Sequence, residues 1–176
     1  SLMNILRKLI LSGLFLALAM VLPFLTGQIP QIGNMLCPMH LPVLLCGFLC
    51  GWPYGLLVGF LSPFLRYILF HMPSLFPTGL AMAFEMAAYG AVAGLLYRAL
   101  PRRTVFLYLS LIVAMLAGRL VWGGVRYLLT FVSDSSFTLA AFWVGGFATA
   151  LPAIILQLVL IPPIVLLVRK AGYLPS

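Results

Sequence analysis

Four ionisable residues stand where water could not easily reach them. Arg66, Glu85, Arg119 and Arg126 each fall inside a long apolar run. Charges in such a place are expensive, and they usually face a cavity, a partner or one another. Glu85 pairing with one arginine would lock two helices together. One carboxylate cannot neutralise three guanidiniums, however. Snorkelling can carry one of them to an interface. Any that remains calls for an anion, and a guanidinium matches a carboxylate or phosphate bidentately. These residue types together predict a ligand with an anionic group.

Aromatic and polar residues frame the same level. Tyr89 lies one turn from Glu85 on its face, Trp122 is three residues after Arg119, and Tyr67 and Tyr127 directly follow Arg66 and Arg126. Trp122 is the first choice for a ligand wall; the tyrosines fit an interfacial belt equally well. Asn34, Met39 and His40 are placed to close the site as a lid. His40 and His71 read as lone loop histidines rather than metal ligands. Cys37, Cys46 and Cys50 lack a zinc-site spacing, and Cys46 and Cys50 share a helix face as small packing residues. Gln157, deep in the last apolar run, reads as a helix–helix hydrogen bond.

Catalytic motifs are missing. The chain has no G-x-x-x-x-G-K-[ST], no H-E-x-x-H and no G-x-S-x-G. Its acids are Glu85 and Asp134 alone. No enzyme activity and no cofactor are expected, and ATP hydrolysis by this chain is not.

The elements that hold these residues must be membrane helices. Of 176 residues, 64% are hydrophobic and 7% charged, with a mean hydropathy of +1.21. Soluble domains carry about 25% charged residues. The net charge of +8 does not indicate nucleic acid, because seven of the ten Lys and Arg sit at the ends of apolar runs. Ser1-Leu2 ahead of Met3 looks like an expression scar, with the domain running from residue 3 to 174. A basic then apolar start also fits a signal peptide, but no small-x-small cleavage site is evident, so a retained first helix is preferred.

Breakers divide the chain into six apolar segments, at about 5–25, 41–50, 52–70, 77–97, 104–131 and 137–168. Six segments put both termini on one side. Arg7 and Lys8, Arg98, Arg102 and Arg103, and Arg169 and Lys170 then share that side, which the positive-inside rule makes cytoplasmic. The fold class expected is an all-α integral membrane protein with six transmembrane helices. Its second helix is far shorter than the ~20 residues of an ordinary span. Of the loop before it, residues 26–40, the part from Gly33 to His40 is expected to dip into the fold, since non-helical backbone at membrane depth must be buried or line a cavity; a plain hairpin with an ordinary outer loop is the alternative. Counted at ~1.5 Å per residue, Arg66 and Arg126 lie about 8 Å from the outer ends of their segments, Glu85 about 12 Å and Arg119 about 18 Å. Arg66, Glu85 and Arg126 are therefore expected to converge in the outer half, as a binding site would.

Small residues suggest where helices meet. Gly13-x-x-x-Ala17 in the first segment fits a contact with a partner helix, whereas Ala83, Ala87 and Ala91 with Gly90 and Gly94 in the fourth fit internal packing.

The segments "PMHLPVLLCGFLCGWPYG", "GFLSPFLRYILF" and "MPSLFPTGLAMAFEMAAYGAVAGLLYR", with the size and the six spans, give the chain a resemblance to a known family. It resembles the substrate-binding S components of energy-coupling factor (ECF) vitamin transporters, over essentially residues 3–174. Gly13-x-x-x-Ala17 stands where members usually show Ala-x-x-x-Ala. The resemblance implies a subunit that binds a vitamin from outside, beneath the first outer loop. It implies partners too: a transmembrane coupling subunit and two ATPase subunits, on which the S component topples to release its cargo inward. It points to a prokaryotic plasma membrane. Within the family this chain leans to a pantothenate-like branch, whose carboxylate suits the spare arginines. Riboflavin or another micronutrient is the alternative. A stand-alone small carrier or channel, or a membrane assembly subunit that binds nothing, are the rival classes.

Overall fold

The computed structural model describes residues 2–22, 24, 39–71, 79–101, 103–132, 137–148 and 151–170. Helix α1 is Leu2–Val21, α2 His40–Cys50, α3 Trp52–Phe70, α4 Leu80–Ala99, α5 Thr104–Leu129, α6 Leu139–Trp143 and α7 Leu151–Lys170, with a π-helical turn at Val144–Ala148 between the last two. No strand occurs among the described residues. Five of these helices, α1, α3, α4, α5 and α7, are long and apolar enough to cross a membrane. The protein is an all-α, multi-pass membrane protein.

Why α2 can be short is visible in its surroundings. All its residues but Leu41 are buried, and it packs against α1, α3, α4 and α7. At ~1.5 Å per residue its 11 residues reach only about 16 Å. It is a core helix rather than a lipid-facing one. Of the loop expected to dip beside it, residues 26–38, with Asn34 and Cys37, lie outside the described residues.

Helix α4 is the hub, packed against α2, α3 and α5. A glycine seam brings α2, α3 and α4 together: a methyl group added at Gly90 would overlap the Gly55 carbonyl, and one at Gly94 would overlap the Trp52 backbone. The internal packing expected of α4's glycines is thus observed. Between α2 and α3, Gly51 takes φ +102, a conformation that costs a side-chain-bearing residue energy. Pro53 then enters the first turn of α3, where a missing N–H is harmless.

The basic ends gather at one end of the bundle. Lys8 lies 6.0 Å from the Tyr54 ring. Phe48 packs edge-on against Tyr97, and Arg169 donates to the Tyr97 hydroxyl at 2.5 Å. Helices α2, α4 and α7 therefore begin at the opposite end, and α5 finishes there.

The last segment departs from expectation. Residues 137–168 read as one continuous run, yet the chain forms a short α6, a π turn and only then α7. Thr138 starts α6 by accepting from the Ala141 N–H at 3.1 Å. The run is apolar throughout, so hydropathy passes straight over the break; Gly145, Gly146 and Pro152 carry it, without any charge to mark it.

Candidate functional site

Two polar clusters form in the half of the bundle away from the basic ends. The deeper is centred on Glu85, in the second turn of α4. Its Oε2 accepts from Arg119 of α5 at 3.0 Å, and its Oε1 meets His40 Nε2, from the first turn of α2, at 2.9 Å. The three residues are 2%, 5% and 3% exposed. Tyr89, one turn along α4, lies beneath: its ring is edge-on to His40 at 4.9 Å and 5.9 Å from the Arg119 guanidinium. Gly118 on α5 allows the close approach, since any side chain there would strike the Tyr89 ring. Three helices are thus clamped through one carboxylate. Inside a low-dielectric bundle such a clamp is worth keeping whole, because removing one member strands the others.

His40 is a correction. The sequence reading puts it in a loop, as part of a lid, with Met39. The structure makes Met39 the N-cap and His40 the first residue of α2, both buried. Pro42 two residues on is compatible with a first helical turn. Asn34, the third member of the expected lid, lies outside the described residues.

Arg119 is the arginine that pairs with Glu85, a choice that the sequence leaves open. Counted from its own helix end it lies about 6 Å deeper than Glu85. Helix α5 has 26 residues, about 39 Å, and outruns α4 at that end. Depth measured from the end of α5 therefore overstates how far Arg119 lies below the start of α4.

Arg66 does not join the cluster as expected. It is 2% exposed, donates to the Met20 carbonyl of α1 at 2.7 Å and lies 4.6 Å from the Phe70 ring and 5.6 Å from that of Phe24. It staples α3 to the end of α1.

The second cluster sits seven residues further along α5, about 10 Å by the helical rise. Arg126 is half-buried. Its guanidinium lies 5.6 Å from the Phe137 ring, and its buried Nε has no hydrogen-bond partner among the described residues. Among the described residues no carboxylate is paired with it. Trp122, four residues back on the same stripe, meets Phe137 edge-on at 5.5 Å and stacks on Phe142 at 6.3 Å. Phe142 in turn lies against Gly123, where a side chain would displace it. Phe137 and Phe142 are residues that the sequence reading does not single out; their five-residue spacing beside the turn is the signal available.

Gln157 also differs from its reading. It is 0% exposed, but neither amide atom is hydrogen-bonded among the described residues. The helix–helix hydrogen bond expected of it is absent there. No group of three or more His, Cys, Asp or Glu that could hold a metal occurs among the described residues. Cys46 and Cys50 are buried and unbridged. On α1, Gly13 and Ala17 are exposed, and nothing lies within 4 Å of a side chain added at Gly13.

A family model for the ECF transporter substrate-specific component matches residues 7–165. The chain belongs to that family. The match spans α1 to most of α7 and so includes both polar clusters. It makes this protein a substrate-specific component: a transporter subunit, not an enzyme in its own right. No curated protein and no solved structure matched the chain. The two clusters are therefore interpreted from their own chemistry.

Proposed function

We propose that this substrate-specific component captures an anionic vitamin, with pantothenate the best candidate, from outside the cell. The basic end of the bundle then faces the cytoplasm of a prokaryote. The cargo is delivered inward when the subunit topples on a transmembrane coupling subunit, and two partner ATPases supply the energy. The exposed Gly13 and Ala17 on α1 are the proposed contact with that coupling subunit.

One observation carries the choice of an anion. Glu85 is occupied by Arg119 and His40, and Arg126, framed by Phe137 and Trp122, is left without a carboxylate among the described residues. A substrate carboxylate would supply it, through charge-assisted hydrogen bonds of the stronger kind. The substrate residues proposed are Arg126 and Trp122 at the mouth and His40, Glu85, Tyr89 and Arg119 at the floor, with Arg66 bracing the wall; Asn34 lies outside the described residues. The rings of Trp122, Phe137 and Phe142 favour a second reading, a flat aromatic vitamin such as riboflavin.

A vitamin screen on the purified protein in detergent tests this, read by thermal stability. A ligand at 100 times its dissociation constant adds about 2.7 kcal/mol. A shift with pantothenate that Arg126→Gln abolishes is the expected result. A shift with riboflavin alone favours the second reading. No shift with any vitamin, in folded protein free of copurified ligand, points to an assembly subunit that binds nothing.

A further inference from the structure

We infer that Gln157 is a second polar anchor of the substrate site, reading an uncharged group that both donates and accepts, such as a secondary amide or a hydroxyl. The inference rests on the reading of this chain as a vitamin-binding subunit.

Helix α7 buries the row Ala153, Gln157, Ile161 and Val165. The other three are apolar. Leucine would fill the Gln157 position with similar volume and no polar atoms. Instead the position carries two donors and an acceptor, with no exposure and no hydrogen bond among the described residues. A buried amide left bare costs free energy that an apolar residue would avoid. Packing alone does not account for it.

Its height in the bundle indicates what it is for. The hydrogen bond from Arg169 to Tyr97 links α7 to α4 through two long side chains near their basic ends. Both helices run in the same direction. Gln157 precedes Arg169 by twelve residues, and Glu85 precedes Tyr97 by twelve. Equal rises put Gln157 and Glu85 at about the same depth. The helices that α7 packs against most are α2 and α5, which carry His40 and Arg119. A bare carboxamide therefore stands level with the Glu85 clamp, on the helix that borders two of its three arms.

The chemistry divides between the two anchors. Arg126, nearer the mouth, suits a carboxylate. A neutral carboxamide gives no advantage to a charge, but it discriminates strongly against a substrate that lacks a matching donor–acceptor group, because the site is then left unpaired. The substrate class that fits both is a carboxylate joined by a short chain to an amide or hydroxyl.

Gln157→Leu separates this role from a structural one, because the two move apo stability in different directions. The variant and wild type are compared by thermal midpoint without ligand, and by titration with pantothenate, or with riboflavin if the screen selects it. The expected result is an unchanged or raised midpoint together with an affinity at least about tenfold weaker, the scale of one lost hydrogen bond. Wild-type affinity in the variant overturns the inference while leaving the vitamin-binding reading intact. A lowered midpoint overturns it too, since Gln157 would then be holding helices together. If wild type binds no vitamin in the screen, the underlying reading fails as well.

Discussion

The Glu85 and Arg126 clusters each set an arginine of α5 beside aromatic rings, about 10 Å apart along one face of that helix, and they are in opposite condition. At Glu85 the charge is matched: a carboxylate, a guanidinium and an imidazole from three helices meet within 3.0 Å. At Arg126 the guanidinium has aromatic rings and no acid among the described residues. The first arrangement clamps three helices, and the second is the one to which the proposed function assigns the ligand's anionic group. A count of buried charges would treat Arg119 and Arg126 alike; the difference lies in what α4 and α2 bring to one and not to the other.

The comparison can be broken most severely at Glu85. Glu85→Gln leaves Arg119 buried without its counter-charge, and a loss of about 3–5 kcal/mol is expected, read by thermal unfolding in detergent. Replacing both members together, Glu85→Met with Arg119→Met, should cost less, since exchanging a buried pair for apolar groups of similar volume is often tolerated. A smaller effect is expected at Arg66→Met. Its bond to the Met20 carbonyl is charge-assisted, so about 1.5–3 kcal/mol should be lost, with vitamin affinity little changed once stability is allowed for. Gly90→Ala tests the seam that holds α4 in place, and about 1–3 kcal/mol is expected from overpacking against Gly55. Gly124→Ala, inside α5 where nothing lies within 4 Å, is its control and should be neutral or raise stability by up to about 1 kcal/mol. Last comes Arg126→Gln. The Arg126 guanidinium makes no ion pair among the described residues, so apo stability should fall by no more than about 1 kcal/mol, the scale of its contact with the Phe137 ring, and the main effect is on ligand binding.

Much of the fold is legible in the sequence because its breaks carry mechanisms. Gly51 and Pro53 on one side and His71 and Pro73 on the other bound α3 at Trp52–Phe70 by residue type alone. The matched basic ends predict the shared end of α1, α4 and α7. The break before α7 is not legible, because glycines within an apolar run change backbone freedom without changing hydropathy. At the site, residue types are visible and pairings are not. Glu85 needs an arginine, but which one depends on how far α5 overshoots α4, and that is a property of packing. His40 is easily misplaced because Pro38 stands two residues before it and the apolar run begins only at Leu41, so the helix is read as starting one residue late. The state of Gln157 is beyond sequence: a buried amide that bonds to a neighbour and one that stays bare are written with the same letter.

The most direct measurement compares pantothenate with panthenol, its uncharged alcohol counterpart, by titration calorimetry on wild type and Arg126→Gln. If Arg126 reads a carboxylate, wild type prefers pantothenate by at least about tenfold, the scale of one charge-assisted hydrogen bond, and Arg126→Gln loses that preference. Equal affinity of wild type for the two, or a preference that survives in Arg126→Gln, would contradict the assignment of Arg126 to an anionic substrate.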